Sequence, residues 1–143
     1  MIDRLDLERG AVRLMGRHAE ALGRLWQARI ELILSGWAQT LKRAERRASS
    51  GGSMAEDDLE EMVRRCERAL RRMNRFVPGA TCIHRALAAQ RMLLRRRASC
   101  RIVIGLRRGT QDVEGHAWVE AGDGDRTVCA FFTDDAGYSP IRS

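Results

Sequence analysis

The 143-residue sequence has few aromatic side chains, no closely paired cysteines and no long hydrophobic run. Aromatic residues make up 5% of it and no RNP, zinc-finger or KH motif is present, so we expect no nucleic-acid partner. No apolar run approaches the roughly 18 residues that a membrane helix needs, so we expect no membrane span. The four cysteines lack a C-x-x-C pair, so we expect no zinc site, and nothing else indicates a metal or a cofactor.

The N-terminus, M-I-D-R-L-D-L-E-R, contains acidic residues and lacks the apolar segment of a signal peptide. We therefore expect a cytoplasmic protein, in which an even number of cysteines does not imply a disulfide framework. Hydrophobic residues make up 44% and charged residues 31% of the chain, as in folded globular domains. Residues 1–143 are predicted to form one domain with its own core.

The formal net charge is +7 and comes mostly from arginine, which is densest at positions 64–65, 71–72, 95–97 and 107–108. Two interpretations remain open: solvated helix faces, or a surface that attracts an acidic peptide or an acidic partner protein. Nucleic-acid binding is a third alternative, and it would show as an affinity that falls steeply with added salt.

Apolar residues recur every three or four positions through residues 5–47, which predicts a helix that bends or breaks at Ser35-Gly36. We expect this stripe, and its two tryptophans, to face the core or a partner. After a flexible connector at 49–52, a second helix carries Cys66 on its apolar face, where we interpret it as a packing residue. The stripe consists of Met15, Ala19, Leu22, Trp26, Ile30, Ile33, Trp37 and Leu41.

A third helix is predicted directly after the turn Pro78-Gly79, with Thr81 as its N-cap and Cys82 in its first turn. The positive end of a helix favours a thiolate over a thiol, so Cys82 is a candidate nucleophile, or else a small apolar residue at a helix start. His84, two residues further on the same helix, is not expected to face it.

Short β-rich runs at 101–106, 116–121 and 127–132 are separated by turns and predict an antiparallel meander. The second run contains G-H-A-W-V-E, whose His116 is the candidate general base that a thiol nucleophile needs at neutral pH. Helices in residues 1–76, followed by the cysteine-bearing helix and the meander in residues 77–143, make an α+β domain.

The chain resembles the lasso-peptide leader peptidases, a family of transglutaminase-like cysteine proteases of the microcin-processing type. The likeness covers residues 76–141 and lies in P-G-A-T-C-I-H-R-A-L-A-A-Q-R-M-L-L-R-R-R, R-I-V-I-G-L, G-H-A-W-V-E and Y-S-P-I. It implies a transglutaminase/papain-like core, in which the cysteine-bearing helix packs on a small antiparallel sheet. It also implies a cysteine endopeptidase with Cys82 as nucleophile and His116 as acid and base.

Such enzymes remove the leader from a ribosomally made lasso precursor peptide, after which an ATP-dependent macrolactam cyclase closes the ring. A separate recognition protein usually binds the leader and delivers it to the peptidase. The resemblance therefore implies three partners: the leader of the precursor, the recognition protein and the cyclase.

The third catalytic position departs from the family pattern. Some relatives carry an aspartate on the strand after the histidine, where positions 129–130 hold cysteine and alanine here. Asp134 is our substitute candidate, with Asp135 behind it, while Glu120 is weaker because it lies ~6.6 Å along the strand from His116. A Cys-His dyad is also open, as are two other functions: acyl transfer to an amine, and non-catalytic binding of a peptide or partner.

Overall fold

The computed structural model describes residues 4–47, 55–123, 126–131 and 139–140 of the chain. Helices come first and an antiparallel sheet follows, so the predicted α+β class is confirmed. The elements are α1 (Arg4–Arg47), α2 (Glu56–Met73), a 3-10 turn (Asn74–Phe76), α3 (Cys82–Arg95), β1 (Cys100–Arg108), β2 (Val113–Asp123), β3 (Arg126–Phe131) and β4 (Ser139–Pro140).

The strands form one antiparallel sheet in the order β3-β2-β1-β4. The hairpin between β1 and β2 is closed by the Gly109 amide, which donates to the Asp112 carbonyl at 2.7 Å. In their register Gly105 pairs with His116 and Cys100 pairs with Ala121. The three predicted strands are confirmed, and β4 adds one short pairing at the outer edge of β1.

The core lies between one face of the sheet and the helices. Alternate residues of β2, Ala117, Val119 and Ala121, are at most 2% exposed and belong to the same buried cluster as most of α3. Because side chains alternate along a strand, the intervening row of β2 lies on the opposite face of the sheet. The buried part of α3 consists of Ile83, Ala86, Leu87, Ala88, Ala89, Gln90, Met92 and Leu93.

Helix α1 is interrupted at Gly36, whose backbone (φ 74, ψ 173) is not helical, as the sequence predicted. After this break the helix folds back on itself, since Arg43 donates to the Ser35 hydroxyl at 3.0 Å and Arg47 lies 3.9 Å from the Glu31 carboxylate. Gln90 of α3 then donates to the carbonyl of Ala44 at 2.9 Å. These hydrogen bonds and ion pairs join the segments of α1 before and after Gly36 to each other, and join the second segment to α3.

The core interpretation is wrong for most of the apolar stripe of α1, although Leu22 and Leu41 are partly buried against the core. Trp26 is 40% exposed, Trp37 is 51% exposed, and Met15, Ile30 and Ile33 are still more exposed. A second row of the helix is buried instead, mainly Ala21, Leu25, Ala28 and Ala44. Both rows have helical spacing, so periodicity alone did not distinguish them. The row of small residues lies inward because alanines allow α1 to approach α3 closely.

Ion pairs join α1 to the C-terminal part of α3. Glu20 accepts from Arg96 at 2.7 Å and lies 3.3 Å from Arg95, while Glu31 accepts from Arg91 at 2.5 Å. Burial alone would raise the pKa of Glu20, but the hydrogen bonds and charges of Arg96 and Arg95 outweigh it and lower that pKa. Among the described helices, none is long and apolar enough to cross a membrane.

Candidate active site

The approach to α3 is a tight turn that leads directly to the candidate nucleophile. Val77 is 2% exposed, and its carbonyl accepts from the Ala80 amide at 3.1 Å across Pro78-Gly79. Gly79 has φ +77, a conformation that a residue with a side chain rarely adopts. Thr81 is the N-cap, as predicted, and Cys82 is the first residue of the helix.

A capping box between Thr81 and His84 fixes the first turn of α3. The Thr81 amide donates to Nδ1 of His84 at 3.0 Å, while the Thr81 side chain accepts from the backbone amide of His84. Nδ1 is therefore an acceptor, and the neutral ring carries its proton on Nε2. Burial, followed by the charge of Arg29, lowers the pKa of His84 and keeps this ring neutral.

The capping box leaves the amides of Cys82 and Ile83 without a partner in the helix, because the first N–H groups of any helix have no carbonyl one turn back. These two amides lie at the positive end of the helix dipole, which favours negative charge. That arrangement suits a thiolate, and it also suits the oxyanion of a tetrahedral intermediate.

Cys82 differs from the other two described cysteines in its exposure. It is half-buried, whereas Cys100 and Cys66, which the sequence predicted to be a packing residue, are buried in the core. Burial raises the pKa of the Cys66 thiol, and burial raises the pKa of Cys100 to about 12. Both buried thiols therefore stay protonated and unreactive at neutral pH.

Arg29 of α1 is a residue at this site that the sequence analysis missed. Its guanidinium group lies against the turn before Cys82: a Cβ atom added to Gly79 would be 2.7 Å from Nη1 of Arg29. It also lies close enough to His84 to lower the pKa of that ring. In a chain with so many arginines, no sequence signal distinguishes this one.

His116 lies on the opposite row of β2 from the core residues. Its ring stacks on that of Trp118, with centroids 6.1 Å apart and planes 24° from parallel. Trp118, which is 7% exposed, donates through Nε1 to Glu120 at 3.3 Å, and Glu120 also pairs with Arg101 at 2.8 Å. Glu120 is thus held between Trp118 and Arg101, on the same row of β2 as His116.

The structure brings α3 and β2 together but does not join their reactive groups. The Cys100 thiol donates to the Gln90 carbonyl at 3.8 Å, so β1 begins beside the later turns of α3. The paired positions Gly105 and His116 lie further along the β1–β2 hairpin. Within the part of the chain that the structure describes, however, no hydrogen bond joins Cys82 to His116.

The remaining candidates cannot be placed in this arrangement. Asp134 and Asp135 lie outside the described residues, so the identity of a third catalytic group stays a prediction. In the described ranges, no group of three or more His, Cys, Asp or Glu side chains could hold a metal ion.

Comparison with known proteins identifies one family. The family model described as "Transglutaminase-like superfamily" matches residues 24–143, from the middle of α1 to the end of the chain. No curated protein and no solved structure gives a significant match.

Proposed function

Since the chain belongs to the transglutaminase-like superfamily, we propose that it is a cysteine endopeptidase that uses Cys82 as its nucleophile. The observation that carries this proposal is the position of Cys82: it is half-buried and is the first residue of α3, where the first amides of a helix have no carbonyl one turn back. Neither Cys66 nor Cys100 has these properties, because both are buried.

In the proposed reaction His116 takes the proton from the Cys82 thiol, and the thiolate attacks the carbonyl carbon of a peptide bond. The amides of Cys82 and Ile83 stabilise the oxyanion; one such donor typically contributes ~3 kcal/mol to the transition state. His116 then gives its proton to the departing amine as the C–N bond breaks. Water hydrolyses the thioester and regenerates the thiol.

This mechanism requires His116 to come within hydrogen-bond reach of Cys82 once substrate is bound. Catalytic hydrogen bonds often form fully only in the substrate complex, and this one would require His116 to leave its stacked position on Trp118, on the far row of β2. Asp134 is our candidate to orient the imidazole.

We further propose that the substrate is the leader of a lasso precursor peptide, delivered by a separate recognition protein ahead of the ATP-dependent macrolactam cyclase. The sequence likeness in P-G-A-T-C-I-H-R, G-H-A-W-V-E and Y-S-P-I supports this finer assignment. The family also supports acyl transfer to an amine as a second candidate, since the same thioester would serve it.

The test is cleavage of a leader–core peptide in the presence of its recognition protein, followed by mass spectrometry. Cys82→Ala and His116→Ala should each lower the rate about 10³-fold or more, because nucleophile and base act as one unit. Cys100→Ala is the control and should keep the activity. Normal cleavage by Cys82→Ala would refute the assignment, and an amine in place of water on the acyl product would identify an acyl transferase.

His84→Gln separates the two histidines near this site. If His84 only caps the helix, its loss should reduce the rate in proportion to any loss of folded protein, since its Nδ1 already accepts from the Thr81 amide. A complete loss of activity in a folded His84→Gln protein, with His116→Ala still active, would reassign the base to His84.

A further inference from the structure

A groove on α1 lies apart from the candidate active site. It is lined by the outer face of α1 before the break, by the limb after the break and by α3, and it has a volume of about 660 Å³. The break at Gly36 creates it, because folding back brings Arg43 and Arg47 alongside Glu31.

The floor of the groove is apolar and open to solvent. Trp26, Ile30 and Leu34 follow one another at intervals of four residues, so they form one row on the helix. Their exposures are 40%, 52% and 79%, so much of this hydrophobic surface faces water. Removing such surface from water is favourable by roughly 25 cal/mol per Å², which makes the row a contact surface for apolar side chains.

Among the described residues, the wall of the groove carries more positive than negative charge. Three guanidinium groups, those of Arg43, Arg47 and Arg91, share the carboxylate of Glu31 at 3.9, 3.9 and 2.5 Å. Nε and Nη2 of Arg47 and Nε of Arg91 are buried and have no hydrogen-bond partner within the described part of the chain. Burial and then repulsion from Arg91 lower the pKa of Arg47, as expected for a cluster that lacks negative charge.

From this combination we infer that the groove binds an acidic peptide segment of another protein. Its carboxylates would pair with the partly exposed guanidinium groups of Arg43 and Arg47, and its apolar side chains would cover Trp26, Ile30 and Leu34. A nucleic acid fits less well, because its phosphate backbone offers no apolar side chains to cover Ile30 and Leu34. The inference does not depend on the chemistry of Cys82.

The probe is a fluorescent synthetic peptide with glutamates along one edge and leucines on the adjoining face, titrated with the full chain and read by anisotropy. Arg47→Gln should weaken binding about tenfold or more, because a hydrogen bond to a charged group typically contributes 1.5–3 kcal/mol. Arg46→Gln is the matched control, since Arg46 is exposed on the same helix and does not line the groove.

Trp26→Ala with Trp37→Ala as control tests the apolar row in the same way. Trp26 lines the groove, whereas Trp37 is similarly exposed and does not, so only the first change should weaken binding several-fold. Should Arg47→Gln fail to fold, as judged by circular dichroism, Arg43→Gln replaces it, because the Arg43 side chain is 46% exposed.

Further arms separate this inference from its rivals. Cys82→Ala should bind the peptide as the unaltered protein does, which keeps the result independent of the proposed protease activity. A peptide with glutamines in place of the glutamates should bind markedly more weakly. The inference is overturned if Arg46→Gln and Arg47→Gln weaken binding equally, or if a single-stranded oligonucleotide or an anionic phosphatidylserine vesicle binds more tightly than the peptide at the same salt concentration.

Discussion

Helices α1 and α3 are both amphipathic, but they use their large apolar side chains in opposite ways. In α3 the leucines and Met92 point inward, and eight of its residues are buried. In α1 the buried residues are chiefly alanines and Leu25, while tryptophan, isoleucine and leucine side chains remain outside. The comparison indicates that α3 is the centre of the core, whereas α1 packs closely on it and presents a second apolar surface outward.

The largest expected effect on stability comes from replacing a buried leucine of α3 with alanine, compared with an exposed leucine of α1. Leu87→Ala in α3 should lower the free energy of unfolding by about 2–5 kcal/mol, because Leu87 is 0% exposed and its removal leaves a cavity. Leu34→Ala in α1, where the side chain is 79% exposed, should change it by about 0.5 kcal/mol or less. Urea unfolding measures both, and equal losses would contradict the assignment of the two surfaces.

The break in α1 provides a second test, because it makes the groove possible. Gly36 has φ 74 and ψ 173, and no atom lies within 4 Å of where its Cβ would be, so the strain in Gly36→Ala is purely in the backbone. We expect a loss of about 1–3 kcal/mol, the usual cost of a conformation that glycine alone adopts readily.

Gly16→Ala is the control for the break. Gly16 lies in the uninterrupted part of α1, and its added methyl group would also meet nothing within 4 Å. Alanine should therefore stabilise the helix there by about 0.5–1 kcal/mol. Thermal unfolding of the two variants should shift in opposite directions, and a shift in the same direction would mean that Gly36 is not a strained position.

Much of this architecture could be predicted because its signals are local. The turn at Pro78-Gly79, the Thr81 cap and the start of α3 at Cys82 all depend on residues within a few positions of one another. The strands follow from alternation, and the break at Gly36 was predicted from the Ser35-Gly36 pair.

What could not be predicted depends on contacts between distant parts of the chain. Two adjacent rows of α1 have the same period, and only the packing on α3 decides that Leu25 faces inward and Trp26 outward. The contact of Arg29 with Gly79 is of the same kind. Strand alternation puts His116 on the opposite row of β2 from Ala117 and Val119. It does not say which row faces the helices, and only the packing of the helices on the sheet decides that.

The smallest expected effect on stability concerns the ion pairs of Glu20, which join α1 to the C-terminal part of α3. Glu20 joins the helices through Arg96 and Arg95, and Glu20→Gln should cost about 1–2 kcal/mol at neutral pH, since the pair is charge-assisted but Arg95 is largely exposed. Because the folded state lowers the pKa of Glu20 from 4.5, this stability is complete above 4.5 and is lost as pH falls through the lowered value. Urea unfolding of the two proteins should therefore differ at neutral pH and converge in acid. Glu61→Gln is the control, since its exposed pair with Arg65 should contribute nothing measurable to the free energy of unfolding. If the difference between Glu20→Gln and the unaltered protein persists in acid, the charge of Glu20 is not what joins α1 to α3.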